Sequence, residues 1–294
     1  MGHPEILAQS ELILNTDGSV YHLDLLPEDI ADTILTVGDP GRVAAVSRYF
    51  DRIEVIKQKR EFITHTGYIG NKRLSVISTG ISTDNIDIVF NELDALVNID
   101  LQQRRPKPKL TSLKFIRIGT TGGLQPEVPI DSFVVSNYGI GMDGMASFYN
   151  LTPSLHEQDL QEAFIQCFTN DKSAQGTYVA EGNQALIKLL SPDNIIGITV
   201  TCGGFYGPQG RLLRIQPRFA DFIQRLQQFS WQGQKLLNLE MEAAAMYALG
   251  RQMGHQCCSI SAVIASRCHQ RFSTDSYKTI DKLIQCVLSR ICMD

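Results

Sequence analysis

Short apolar, β-branched runs alternate along this chain with longer runs of helical period, and the strand-like runs break at glycine, asparagine or aspartate. That alternation constrains the fold more than any other feature, because strands interleaved with helices pack as α/β sheets covered by helices. Strands are predicted over 33–38, 53–57, 62–69, 73–79, 114–118, 132–140, 196–201 and 258–266. Helices are predicted over 40–49, 84–99, 154–168, 181–190, 217–228, 240–253 and 275–292. In the second of these, Ile86, Val89, Phe90, Leu93, Leu96 and Val97 fall on one face. The nearly all-apolar run 116–118 leads into Gly-Thr-Thr-Gly-Gly and suits a strand covered on both faces. The expected fold class is α/β with a mostly parallel or mixed sheet. In such sheets ligands gather at the carboxyl ends of strands, where the glycine-rich segments of this chain fall.

The 294 residues suit one large α/β domain or two smaller ones. The one linker-like stretch, Gln102 to Leu110, carries two prolines and four basic residues, and well-patterned sequence resumes on both sides. It reads as a solvated loop inside a single domain. A net charge of −4 supplies no basic footprint for nucleic acid, so no nucleic-acid partner is expected. Seven cysteines, an odd number without a CxxC pair, argue against a disulfide framework and a tetrahedral zinc site. His3, His22, His65, His156, His255 and His269 show no HExxH or paired spacing, so no metal is expected. The N-terminus lacks the apolar core of a signal peptide and no window is apolar enough to span a bilayer, which points to the cytoplasm and away from membranes.

Three segments share one form, a strand followed by small residues with an arginine close by: "TVGDPGR" (36–42), "STGIS" (78–82) and "RIGTTGG" (117–123). Glycines let backbone amides approach an anion, and Arg42 and Arg117 could add bidentate contacts, with Thr120 or Thr121 adding a hydroxyl. Each loop alone reads first as a plain strand-to-helix turn, and only the three together point to an anion site. None is a nucleotide fingerprint, since neither GxGxxG with a following acid nor GxxxxGK[ST] occurs. In "NLEMEAAAMYALG" (238–250), Asn238 suits the N-cap of the predicted helix. Glu240 and Glu242 precede the helical run, either as a pair able to hold a sugar diol or as acidic decoration of a helix start. In "TCGGFYGPQGR" (201–211), Phe205 could stack on a flat ring while Gln209 and Arg211 reach its polar edge. His22, amid apolar residues in "VYHLDL", reads alone as structural.

Taken in order, "VYHLDL", "GDPGRV", "KREF", "STGI", "RIGTTGGLQP", "GFYGPQGR", "NLEMEAAAMYAL" and "AVIASR" resemble the nucleoside phosphorylase family, and most its uridine phosphorylase branch. The resemblance runs from about Val20 to the C-terminal helix, leaving 1–19 as an N-terminal extension and 20–294 as one phosphorylase domain. It implies a twisted mixed sheet with a barrel-like portion, and reversible phosphorolysis of a nucleoside to base and ribose 1-phosphate. Phosphate is then a co-substrate, and no further cofactor is needed. By this resemblance Gly38, Arg42, Arg117 and Thr120 bind phosphate, with Arg60 reaching the site of a neighbouring subunit. His22 likewise crosses a dimer interface to the ribose 5′-hydroxyl. Glu240, Met241 and Glu242 hold the ribose, and Phe205, Gln209 and Arg211 clamp uracil, backed by Ile264 and Arg267. Arg117, Glu242, Gln209 and Arg211 carry the catalytic roles, and the implied assembly is a homo-oligomer.

The chain also departs from the family pattern. Some members of the family bind a monovalent cation at the subunit interface through a glutamate, a carbonyl and a serine. After "STGI" this chain continues Ser82-Thr83-Asp84-Asn85, so Glu61 and Ile81 match but Asn85 stands in the serine position, which argues against that cation. In the base loop, glycine and proline at 207 and 208 are transposed. The nearest rival, a purine nucleoside phosphorylase, carries an aspartate where Ser266 stands here. A nucleosidase would have no use for Arg42, Arg60 and Arg117. A non-enzymatic nucleoside-binding protein would not need both the phosphate and the ribose sets.

Overall fold

The computed structural model describes residues 6–168 and 176–292, so His3 and the first residues of the expected N-terminal extension lie outside the described residues, as do the last two of the expected domain. The fully buried β1 (Thr33–Val37) leads into α1 (Gly41–Ser47). A meander follows, of β2 (Arg52–Lys59), β3 (Phe62–Ile69) and β4 (Lys72–Ser78), then α2 (Thr83–Asn98) and the small pair β5 (Ile99–Asp100) and β6 (Arg105–Pro106). Next come β7 (Lys114–Gly123), β8 (Phe133–Gly141), α3 (Leu155–Gln166), β9 (Tyr178–Glu181), α4 (Gln184–Leu190) and β10 (Ile195–Thr201). The last third holds α5 (Phe222–Gln228), β11 (Ser230–Trp231), β12 (Gln234–Glu240), α6 (Ala243–Gln252), β13 (Gln256–Ser266), β14 (Arg271–Phe272) and α7 (Ser276–Cys292).

Five strands close into a barrel in the order β7, β13, β8, β10, β12 and back to β7. The β7–β13, β8–β10 and β10–β12 pairs are parallel, whereas β13–β8 and the closing β12–β7 pair are antiparallel. The open flank β1, β4, β3, β2 extends from β7, with β1 parallel to both β7 and β4. The architecture is a single-domain α/β fold with a barrel-like portion, as the alternation and the resemblance led us to expect. Helices α2 and α6 bury Ile86, Val89, Phe90 and Leu93 with Tyr247 against Ile34 and Phe115. The opposite face of the sheet buries Leu35, Val37, Ile116 and Ile118 beneath α1, α4 and α7, the last contributing Leu283, Ile284 and Val287. No described helix is long and apolar enough to cross a membrane.

Four local expectations are corrected. Gly-Thr-Thr-Gly-Gly is not a turn but the second half of β7, because Gly122 and Gly123 pair with Leu239 and Asn238 to close the barrel. Asn238 is no helix cap: it lies in the strand β12, which the helical reading from 240 onward obscured, and α6 starts at Ala243 with Glu242 as N-cap. Residue 181 ends β9 instead of starting a helix, and Asn183 caps α4 by accepting from the Leu186 amide. The 102–110 stretch is partly structured through β5–β6, and Arg104 donates to the carbonyls of Leu7, Ala8 and Leu12.

Candidate active site

Closing the barrel with an antiparallel pair sets the chemistry. Because β12 runs against β7, its carboxyl end at Glu240 meets the middle of β7, where Arg117 stands. The ends of β1 and β4 add Gly38, Arg42, Gly80 and Ile81, and the loop after β10 adds Phe205, Gln209 and Arg211. Together with Thr120, Met241, Glu242, Ile264 and Phe272 they line a cavity of about 490 Å³, a size suited to a small metabolite.

One end of the cavity is cationic. The Arg117 guanidinium is buried, is paired with Glu242, and stands 3.7 Å from Glu240. Burial opposes its charge, but the carboxylates of Glu242 and Glu240 outweigh that and raise its pKa. Arg42, at the start of α1, is held by the carbonyl of Ile118 at 3.1 Å. Burial first, and then the like charge of Arg117, lower its pKa. Arg42 is half-buried, and an anion that faces both guanidiniums relieves the like charge of Arg117 beside it.

The two glutamates separate in role. Glu240 is spent inside the fold: Oε1 accepts from the Thr201 hydroxyl at 2.5 Å, and Oε2 accepts from the amides of Glu242 and Ala243, each at 2.9 Å. Burial raises its pKa despite the opposing Arg117. Glu242, brought to the cavity by that turn, accepts from the Ser82 amide at 2.8 Å and from Arg117. Its carboxylate lies between the cationic end and the centre.

At the other end, Gln209 is buried, and its Oε1 accepts from Arg211 at 2.6 Å. Arg211 also donates to the Phe205 carbonyl, and its guanidinium lies 3.7 Å over the Phe205 ring. Burial pulls its pKa down to about 10, with Arg267 adding like-charge repulsion. The cavity therefore runs from an anion site, past a carboxylate, to a planar apolar wall with mixed donors and acceptors.

Of the residues singled out from the sequence, Gly38, Arg42, Arg117, Thr120, Glu240, Met241, Glu242, Phe205, Gln209, Arg211 and Ile264 line this one cavity. Arg267 stands just behind, donating to the Gly210 carbonyl at 3.4 Å. His22 and Arg60 are not among its lining residues. His22 is fastened to Glu92, which accepts from its Nδ1 at 2.6 Å and from its backbone amide. Arg60 sits exposed at the β2–β3 turn with a φ of 54°. Sequence reasoning missed Phe272 on β14 and the Ser82 amide. A lone aromatic after "SRC" and a backbone donor carry no motif.

The chain belongs to the phosphorylase superfamily, whose family model matches residues 32–291. It is 30% identical over 261 residues to the uridine phosphorylase of Thermococcus kodakarensis, covering 87% of this chain and 80% of that protein. It is 25% identical over 274 residues to the uridine phosphorylase of Haemophilus influenzae, covering 92% of this chain and 96% of that one. Among solved structures, a Trypanosoma brucei nucleoside phosphorylase described as showing uridine phosphorylase activity superposes with a TM-score of 0.85 at 27% identity. That match covers 96% of this chain and 100% of that one.

Proposed function

We propose that this protein is a pentosyltransferase that catalyses the reversible phosphorolysis of uridine to uracil and ribose 1-phosphate. The observation that carries the proposal is a single cavity with Arg42 and Arg117 at one end, Glu242 between, and the Gln209–Arg211 pair beside Phe205 at the other. The family membership and the similarity to uridine phosphorylases support the same reading. Phosphate sits against Arg42, Arg117, Thr120 and the backbone at Gly38. The ribose diol hydrogen-bonds Glu242 beside Met241, with Glu240 behind, holding both Glu242 and Arg117.

As the N-glycosidic bond stretches, its electron pair moves into the base and positive charge grows at the anomeric carbon. A phosphate oxygen then forms the new bond to that carbon on the face away from the base. Gln209 and Arg211 stabilise the charge arriving on uracil, while Phe205, Ile264 and Arg267 hold the ring. This is catalysis by positioning and fixed electrostatics, and uridine and phosphate alone balance the reaction. Arg60 and His22 serve the site of a second copy, so the active assembly is a homo-oligomer.

The test is release of base from uridine, thymidine, inosine and adenosine, with and without phosphate. Phosphate-dependent cleavage of uridine is expected. Release without phosphate would make the protein a nucleosidase, action on purines alone would overturn the uridine assignment, and no turnover would leave a nucleoside-binding protein.

A further inference from the structure

Arg117 reaches the anion end of the cavity only because of what is missing two residues further on. Residues 117 and 119 lie on the same face of β7, so the arginine side chain, running forward along the strand, must pass over residue 119. That residue is Gly119. A Cβ built there would stand 1.8 Å from Nη1 of Arg117 and 2.6 Å from Oγ of Ser261. Neither is a distance that atoms tolerate. The backbone gives no reason for glycine here, since Gly119 is in the body of a strand and has no positive φ. Gly122, three residues on in the same strand, is different: a Cβ there would meet nothing closer than Arg267 at 3.9 Å.

Ser261 faces Gly119 in register from β13 and is wholly buried. Its hydroxyl and Nη1 of Arg117 are both buried without a hydrogen-bond partner within the chain, and both flank the space above Gly119.

We propose that Gly119 is a positioning residue for phosphate binding: the space left by its absent side chain is the seat of the Arg117 guanidinium, and Ser261 is the wall of that seat. A side chain at 119 lifts the guanidinium from its place beside Glu242 and Glu240 and turns its charge away from the anion. The inference rests on the reading of Arg117 as a phosphate ligand. It adds that the spacing Arg-x-Gly in β7 is a demand of the site and not of the strand.

The experiment measures kcat and both KM values for Gly119→Ala, Gly122→Ala, Arg117→Ala and Ser261→Val, with thermal unfolding of each in the presence and absence of phosphate. Gly119→Ala is expected to raise the phosphate KM about tenfold or more, since displacement of a positioned group by an ångström has effects of that size. The uridine KM should move much less, and the stabilisation by phosphate should shrink. Gly122→Ala, whose Cβ would enter the cavity beside Arg267, should leave the phosphate KM within about twofold of the parent whatever it does to the uridine KM. Ser261→Val, which places a methyl against the guanidinium from β13, should shift the phosphate KM in the same direction by less. It also keeps the test alive should Gly119→Ala fail to fold. A parental phosphate KM in Arg117→Ala would refute the phosphate reading itself. A raised value there, with a parental one in folded Gly119→Ala or in Ser261→Val, would refute the positioning role alone.

Discussion

Glu240 and Glu242 are two positions apart and do opposite work. Both line the cavity, but Glu240 accepts two backbone amides and the Thr201 hydroxyl and stands beside Arg117, whereas Glu242 accepts from the Ser82 amide and Arg117. Removing Glu240 leaves buried donors unpaired and Arg117 short of a counter-charge. Glu240→Ala is therefore expected to lower the unfolding free energy by about 3 kcal/mol or more, measured by denaturant titration. Glu242→Gln keeps the shape and loses an acceptor for the sugar. It also takes the nearer counter-charge from buried Arg117, so it should unfold more easily than the parent. Its kcat/KM for uridine should fall about a hundredfold, and much less for 2′-deoxyuridine, which has fewer hydroxyls to read. Equal losses on the two nucleosides would move the diol contact elsewhere. The acidic pair was visible in the sequence, but their division of labour was not. It depends on the chain turning from β12 into α6 between them, a turn the sequence allowed beside a helix starting at 240 but whose hydrogen bonds it does not show.

At the scale of elements, two clamps hold connections that the sequence shows only as loops. Arg104, with a φ of 56°, fastens residues 7–12 to the 102–110 stretch through three carbonyls. The N-terminal extension and the 102–110 stretch thus hold each other, and neither lines the cavity. Arg104→Ala should speed amide hydrogen exchange across residues 7–12 and leave the kinetics unchanged. The second clamp is Asp131, which accepts from Ser273 and Thr279, each at 2.6 Å, and ties the β7–β8 connection to the start of α7. The Ser273 hydroxyl, then that of Thr279, lower its pKa. A carboxylate with a depressed folded pKa stabilises the fold above its unfolded value and loses that contribution as pH falls. The stability difference between parent and Asp131→Ala should be full at neutral pH and shrink as pH drops below about 4. Most strands and helices were legible because their periodicity follows from burial of one face or both. β9, β12 and the short pairs were not, since strands this short or enclosed carry little period of their own.

For the whole molecule, the decisive feature is that His22 and Arg60 stay away from the cavity lined by the other site residues. His22 is held by Glu92, and Arg60 is exposed at a tight hairpin turn. If each completes the site of a second copy, Arg60→Ala and Arg117→Ala are each expected to be nearly inactive alone and active together. Co-expression yields mixed dimers in which one chain supplies an intact Arg117 and its partner an intact Arg60. About a quarter of parental activity should return, as half the dimers are mixed and each has one intact site. Purified mixtures that stay as inactive as either parent variant would place both arginines in one subunit's chemistry.

The sequence by itself determined the class of fold and most of the groups in the cavity. Alternating periods dictate α/β layers, and an ordered series of short motifs preserves the residue types that phosphate, sugar and base require. Only the tertiary structure decided how those groups divide the work. Closure of the barrel through β12 and β7 turned an apparent glycine turn into a strand. It committed Glu240 to the turn into α6, set Glu242 beside Ser82 and Arg117, and laid Arg117 over Gly119. Those outcomes depend on pairings between strands more than a hundred residues apart, and no local period records which strand will close against which.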